Sequence, residues 1–171
     1  MKILLHTCCA DCLLKMVDSL KNETVEITAY FYNPNIHPRA EYLSRLKAIQ
    51  KIAQENKIKL IVADWSPKEW FKEVKIDGDR CKSCWELRLR KSFEYAKKNN
   101  FEAVATTLLS SHYQNKDIIE ETGKNFEKEF GIKFLVPKKI SRDLKTSGFY
   151  KQNYCGCCYS LVEAWGEKFR L

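Results

Sequence analysis

The stretch Lys2-Ile3-Leu4-Leu5-His6-Thr7-Cys8-Cys9-Ala10-Asp11-Cys12 decides the fold of this chain. Its first six residues form a short apolar run, the pattern of a strand buried in a parallel sheet. Leu13, Met16, Val17 and Leu20 follow at helical spacing, so strand gives way to helix through a loop that carries three cysteines. A nucleotide-binding domain would place a glycine-rich phosphate loop at this point. No glycine stands here, which disfavours a nucleotide-dependent ligase or ATPase. Thiols occupy the place where phosphate would sit.

Outward from that stretch, strand-like and helix-like periods alternate to the end of the chain. Residues 25–32 are rich in β-branched and aromatic side chains and read as a second strand, broken by Asn33-Pro34-Asn35. A helix is predicted over 39–55 with Tyr42, Leu46, Ile49 and Ala53 on one face, then a third strand over 58–63. Pro67 opens a short helix through Trp70 and Phe71, since proline suits a first helical turn. A long helix follows over 81–98, a fourth strand over 101–107, a helix bearing Ile118, Ile119, Thr122, Phe126 and Phe130, a short fifth strand over 132–136, and a helical tail over 160–169. This order predicts an α/β fold, a parallel five-stranded sheet with helices on both faces and a Cys-rich C-terminal segment. If the sheet is doubly wound, strands one and four flank the point where ligands bind beyond the carboxyl ends of strands. The first cysteine group, Asp64, and residues 110–114 then converge on one edge.

The chain of 171 residues suits a single domain, 1–171, with a hydrophobic core of its own. Hydrophobic residues make up 44%, too many for a disordered chain. No apolar run approaches the roughly 20 residues of a membrane helix, and no signal-peptide pattern opens the chain. The expectation is a cytoplasmic protein without a membrane partner. In that compartment the eight cysteines are not expected to form structural disulfides.

Their placement says more than their number. Cys8, Cys9 and Cys12 form one group, Cys81 and Cys84 a second, and Cys155, Cys157 and Cys158 a third, with long cysteine-free stretches between. Scattered core cysteines would not cluster so, and a metal or redox site assembled from three distant loops is the expectation. Cys81 and Cys84, spaced i, i+3, share a face on the first turn of a helix, with Asp79 or Asp77 as its N-cap. The helix N-terminus and Arg80 favour their thiolates. In Cys155-Gly156-Cys157-Cys158, glycine lets the backbone turn so that neighbouring sulfurs reach a common centre. Two Cys-x-x-Cys pairs suit a four-thiolate zinc. Eight sulfurs exceed one tetrahedral zinc, and soft all-thiolate sites equally suit iron–sulfur clusters. The surplus points to a cluster with a second metal or a redox-active pair.

Other residues divide between core and site. His6 lies in a strand and reads as a hydrogen-bonded core residue, whereas His37 and His112 lie in loops on the active edge. Trp85 and Trp165 fit core-facing helical positions. Cys12 and Cys158 are each either ligand or buried hydrophobe. Asp64 is either a helix cap for residues 65–72 or an oxygen ligand or proton donor.

The basic excess, net +8, gathers around the second and third cysteine groups. Arg80, Lys82, Arg88, Arg90 and Lys91 crowd one; Lys138, Lys139, Arg142, Lys145 and Lys151 precede the other, with Phe149, Tyr150, Tyr154 and Tyr159 interleaved. Cations neutralise phosphates and aromatic faces stack on unpaired bases, a mixture that fits single-stranded or loop RNA.

Four segments in order resemble the QueH family of epoxyqueuosine reductases: residues 6–12, residues 80–89, Thr106-Thr107-Leu108, and residues 150–157. The resemblance implies a Rossmann-like (HUP, or adenine-nucleotide α-hydrolase-like) domain used without ATP, and a 4Fe-4S cluster. It further implies two-electron removal of the epoxide oxygen of epoxyqueuosine at the wobble position of tRNA. Carried over by position, Cys8, Cys9, Cys81 and Cys84 match the cluster ligands. Cys155 and Cys157 match a Cys-Gly-Cys element that serves as redox pair or as ligands of a second, mononuclear iron; Cys12 joins the candidate metal ligands. Asp64, His112 and Tyr154 are the candidates to donate protons or hold that iron. Arg80, Arg88, Lys138, Lys139, Arg142, Lys145, Lys151 and Tyr150 are the candidates to contact the tRNA anticodon loop. A low-potential electron donor is implied as well. The family usually has proline where this chain has Asp11, and often an apolar residue where it has Cys158. Two readings of other classes compete: a zinc-stabilised tRNA-binding module, and a thiol–disulfide or sulfur-transfer enzyme acting on RNA through Cys155 and Cys157.

Overall fold

β1 (Lys2–His6) is the central strand of a five-stranded sheet and pairs in parallel with β2 (Glu26–Phe31) on one side and β4 (Ala103–Thr106) on the other. β3 (Lys59–Val62) extends the sheet beyond β2 and β5 (Lys133–Phe134) beyond β4, giving the all-parallel order β3-β2-β1-β4-β5. This computed structural model describes the backbone of residues 1–21, 25–140 and 148–168. The architecture is α/β and Rossmann-like, and the order reverses between β1 and β4 as the alternation of elements predicts.

The apolar run at the start of the chain exists because β1 is covered on both faces. Ile3 and Leu5 pack with Leu13 and Met16 of α1 (Ala10–Leu20) and with Ile49 and Ile52 of α2 (Arg39–Glu55). Leu4 points the other way, into a cluster with Trp85, Leu89 and Phe93 of α4 (Arg80–Lys98) and Ile119 and Phe126 of α5 (Lys116–Phe130). Alternation along a strand sends successive side chains to opposite faces, so two helical layers need every residue of the run apolar. A third, smaller cluster joins Trp70 and Val74, at α3 (Pro67–Glu73), to Cys84 and Cys157.

Several boundaries depart from the sequence reading, each for a local reason. β4 ends at Thr106, whose Oγ1 accepts a hydrogen bond from the Leu108 N–H and turns the chain into a 3-10 helix over Thr107–Ser110. The last helix, α6, spans Cys158–Lys168 and so begins at the third cysteine group itself. Asp79, not Asp77, caps α4, its side chain accepting from the Lys82 N–H at 2.9 Å. Ser66, not Asp64, precedes α3. Trp85 is core, but Trp165 is 56% exposed. Arg142 and Lys145 lie outside the described residues. No helix among the described residues is long and apolar enough to cross a membrane.

Candidate functional site

Loops at the carboxyl ends of the strands carry the chemistry. β1 delivers Cys8 and Cys9, and Cys12 follows on the first turn of α1. All three are buried. The Cys8 backbone N–H donates to Thr107 Oγ1 at 3.1 Å and its sulfur lies 3.3 Å from the same oxygen, so the turn after β4 fastens the loop after β1. Hydrogen bonds from the Cys12 and Cys9 thiols hold Cys8 well below the ordinary thiol range, helped by Arg88 and Thr107, while the two donors are pushed up, Cys12 to about 12. Of the three, Cys8 is the sulfur whose thiolate the surroundings favour.

The second and third cysteine groups meet. Cys81, Cys84, Cys155 and Cys157 line one small cavity of about 30 Å³ together with Asn35, Trp70, Arg80, Trp85, Arg88, Tyr113 and Gln114. Trp70 Nε1 donates to Cys84 Sγ at 3.2 Å, and Trp85 Nε1 to Gln114 Oε1 at 2.6 Å, which fixes two walls. The hydrogen bond from Cys157 draws Cys155 down to about 5, and Cys157 is correspondingly raised. Cys81 and Cys84 move opposite to the sequence expectation. Burial pushes both up, and although Arg80 favours the Cys81 thiolate and Arg88 and Trp70 that of Cys84, they do not overcome it.

Arg88 is the electrostatic link between the groups. It is 3% exposed, donates from Nη2 to Asn33 Oδ1 at 2.7 Å, and its charge favours the thiolates of Cys8, Cys84 and Cys155. Expected among the cations facing RNA, it lies instead inside the molecule. The same charge, added to burial, holds His6 down to about 3 and neutral. His6 bonds Thr106 Oγ1 and the Tyr32 carbonyl, the core role its strand position predicts.

The remaining candidates lie in different places. Asp64 is exposed and absent from the cavity wall. The Tyr154 hydroxyl is buried and donates to the His37 carbonyl, with its ionisation pushed up by burial. His112 is exposed and packs its ring 3.9 Å from that of Tyr113, itself 40% exposed at the cavity. Arg80 lines the cavity, bonds Glu163 at 2.7 Å and covers the Tyr159 ring. Lys138 and Lys139 are exposed on an open groove of about 890 Å³ of mixed charge, shared with Lys15 and Lys116 and with Asp18, Asp117 and Glu120. Tyr150 donates to Glu41, and Lys151 reaches Asp11 at 4.0 Å. Cys158 is partly buried and lies outside the cavity wall.

Sequence reasoning passed over Glu41, Arg45, Asn33 and Trp70. A signal existed for the first two: opposite charges spaced i, i+4 on the buried side of α2, in line with Ala48, Ile49 and Ile52.

Among the described residues, no three His, Cys, Asp or Glu side chains stand as a ready-made cage for a metal ion. The donor chemistry nonetheless fits a soft all-thiolate group. Four thiols line one cavity, and three polar atoms on its lining residues, Arg80 Nε, Arg88 Nε and Asn35 Oδ1, have no partner in the protein. Two buried N–H donors beside clustered sulfurs suit an anionic sulfur-rich occupant. The set implied by resemblance, Cys8, Cys9, Cys81 and Cys84, draws from both thiol groups.

A family model described as epoxyqueuosine reductase QueH matches residues 3–163. The protein named epoxyqueuosine reductase QueH from Haemophilus influenzae is 34% identical, over 98% of this chain and 75% of its own. Its namesake from Thermotoga maritima is 33% identical over 94% and 91%, and that from Dehalococcoides mccartyi 33% over 97% and 96%. On a match that runs almost end to end and takes in all eight cysteines, the chain belongs to the epoxyqueuosine reductase QueH family.

Proposed function

We propose that this protein, acting as one cytoplasmic reductase domain, converts epoxyqueuosine to queuosine at the wobble position of tRNA. Two electrons and two protons remove the epoxide oxygen as water and leave a carbon–carbon double bond. The observation that carries the reading is the convergence of Cys81, Cys84, Cys155 and Cys157 on one cavity in a chain of this family. Cys81 and Cys84 with partners from Cys8, Cys9, Cys155 and Cys157 would hold a 4Fe-4S cluster, and the sulfurs left over, Cys12 among them, would ligate a second iron or form a redox pair. When bound, the cluster supplies electrons singly at low potential from an external donor.

The chain's own residues do the rest. Arg88 compensates thiolate charge from within the core, and Arg80 does so from the rim. Of the three proton-donor candidates, His112 is favoured by its exposed ring, which lies against the cavity residue Tyr113. Tyr154 spends its proton on a carbonyl. Tyr113 offers a base-stacking face at the mouth of the cavity, and Lys138 and Lys139 offer phosphate contacts along the groove.

The test is anaerobic reconstitution with iron and sulfide, then incubation with epoxyqueuosine-containing tRNA and a strong reductant. The nucleoside should lose the mass of one oxygen. A protein that takes up only stoichiometric zinc, or an intact cluster that leaves the epoxide untouched, overturns the reading. Conversion by metal-free protein would move it to thiol–disulfide chemistry.

A further inference from the structure

α2 contributes no thiol, yet it grips the segment that carries two of the four cavity cysteines. Glu41 and Arg45, one turn apart on α2, are 9% and 2% exposed. Arg45 Nε donates to Glu41 Oε1 at 2.6 Å, Nη1 to the Cys155 carbonyl at 3.1 Å, and Nη2 to the Tyr154 carbonyl at 3.1 Å. The guanidinium also lies over the Tyr154 ring, 5.4 Å from its centroid. Glu41 Oε2 accepts from the Tyr150 hydroxyl. The loop ahead of α2 adds a second set of bonds. The His37 N–H donates to the Gly156 carbonyl at 2.8 Å, the Tyr154 hydroxyl donates to the His37 carbonyl, and the Cys158 N–H donates to His37 Nδ1 at 3.4 Å.

A buried ion pair costs more to desolvate than apolar side chains of the same volume. Its presence here goes with a task that an apolar side chain lacks the donors for. The planar guanidinium fork holds two successive carbonyls in fixed geometry while its third edge is locked by a carboxylate. Those carbonyls belong to Tyr154 and Cys155, so the fork sets where the backbone enters Cys155-Gly156-Cys157. Cys81 and Cys84 are placed independently by α4.

We propose that Glu41 and Arg45 are positioning residues that dock the Cys155-Gly156-Cys157 loop on α2 and thereby bring its two sulfurs opposite Cys81 and Cys84. The proposal rests on reading that cavity as the reductase's thiol site, but its test does not use the reaction. Full-length, reduced, metal-free protein is treated with iodoacetamide, and the rate at each cysteine is read by mass spectrometry. Glu41→Gln/Arg45→Met removes both charges together and strands neither. Arg45→Lys keeps the charge and the carboxylate partner but loses the fork.

Cys155 and Cys157 should alkylate faster in the double variant and at an intermediate rate in Arg45→Lys, with Cys8, Cys9 and Cys12 unchanged. Cobalt(II) titration of the same proteins should show affinity reduced by about 10–100-fold in the double variant, as for other residues that orient metal ligands. Unchanged rates at Cys155 and Cys157 in both variants overturn the proposal. So does acceleration of all eight cysteines together in Arg45→Lys, which would make the pair a general support of the fold. A wild type that fails to convert epoxyqueuosine, with the selective alkylation pattern still seen in the two variants, would overturn the reductase reading and leave this one standing.

Discussion

Gly156 has φ +131°, a region that side-chain-bearing residues rarely adopt. A Cβ there would lie 3.3 Å from Arg45 Nη1, 3.3 Å from Ile36 Cγ1 and 3.4 Å from Asn35 Nδ2. Glycine is thus required twice over, by the turn and by the close approach to the guanidinium. Gly156→Ala should cost about 1–3 kcal/mol, lowering the melting temperature by about 2–4 °C for each kcal/mol in a chain of this size. An unchanged melt would show that the loop is free to relax. Tyr113 makes a different kind of demand. Its ring stands 40% exposed at the cavity, backed by His112, and no folding requirement explains a large aromatic left in water there. Tyr113→Ala should leave the melt unchanged and weaken binding of epoxyqueuosine tRNA by about 1–3 kcal/mol, the worth of one base stacked on an aromatic ring. Equal affinity for the two proteins in a filter-binding titration would remove Tyr113 from the RNA surface.

At the scale of elements, α4 supplies two of the four cavity thiols from its first turn, so its N-terminus carries the site as well as the helix. Asp79 accepts from the Lys82 N–H and satisfies one of the orphan donors there. Asp79→Ala should cost about 1 kcal/mol in urea denaturation and weaken cobalt(II) binding, whereas Asp79→Asn, which keeps the cap, should do neither. Loss of stability with full metal affinity would mean that Cys84, anchored by Trp70, suffices to hold the turn. Elements of this kind were legible because each has a local signature: an aspartate before a helical period, or an apolar run where β1 is covered on both sides. The 3-10 turn over Thr107–Ser110 was not, since it arises when Thr106 Oγ1 bonds a backbone N–H two residues on, and the same letters read equally well as strand. Glu41 and Arg45 were hidden for another reason. Hydrophobic periodicity assigns charged residues to water, and only the carbonyls of a segment distant in sequence make their burial tolerable. Trp165 fails in reverse, its helical spacing apolar but its side chain 56% exposed.

Over the whole molecule, the net charge of +8 does not say where positive surface is available to RNA. Arg45 and Arg88 are buried, and Arg90, Lys91 and Lys124 are paired with Glu129, Glu69 and Glu127. Lys138 and Lys139 are exposed on the open groove, and no ion pair among the described residues holds them. The groove also contains Ser110, which favours the thiolate of Cys12, so it adjoins the first thiol group at the carboxyl edge of the sheet. On the proposed function, phosphate contacts made there would orient an anticodon loop toward the cysteines, while cations at the opposite edge, such as Lys59 at the start of β3 and Lys98 at the end of α4, would not. Each phosphate neutralised on a single strand contributes about −0.7 to the slope of log K against log salt. Lys138→Gln/Lys139→Gln should therefore make that slope shallower by about 1.4 if both bind phosphate, and Lys59→Gln/Lys98→Gln should leave it unchanged. Tight binding depends on where the charge sits, so affinity at a single salt concentration does not decide the matter. Equal changes of slope from the two pairs would mean that the RNA is held by diffuse attraction and that the groove has no special part in presenting it.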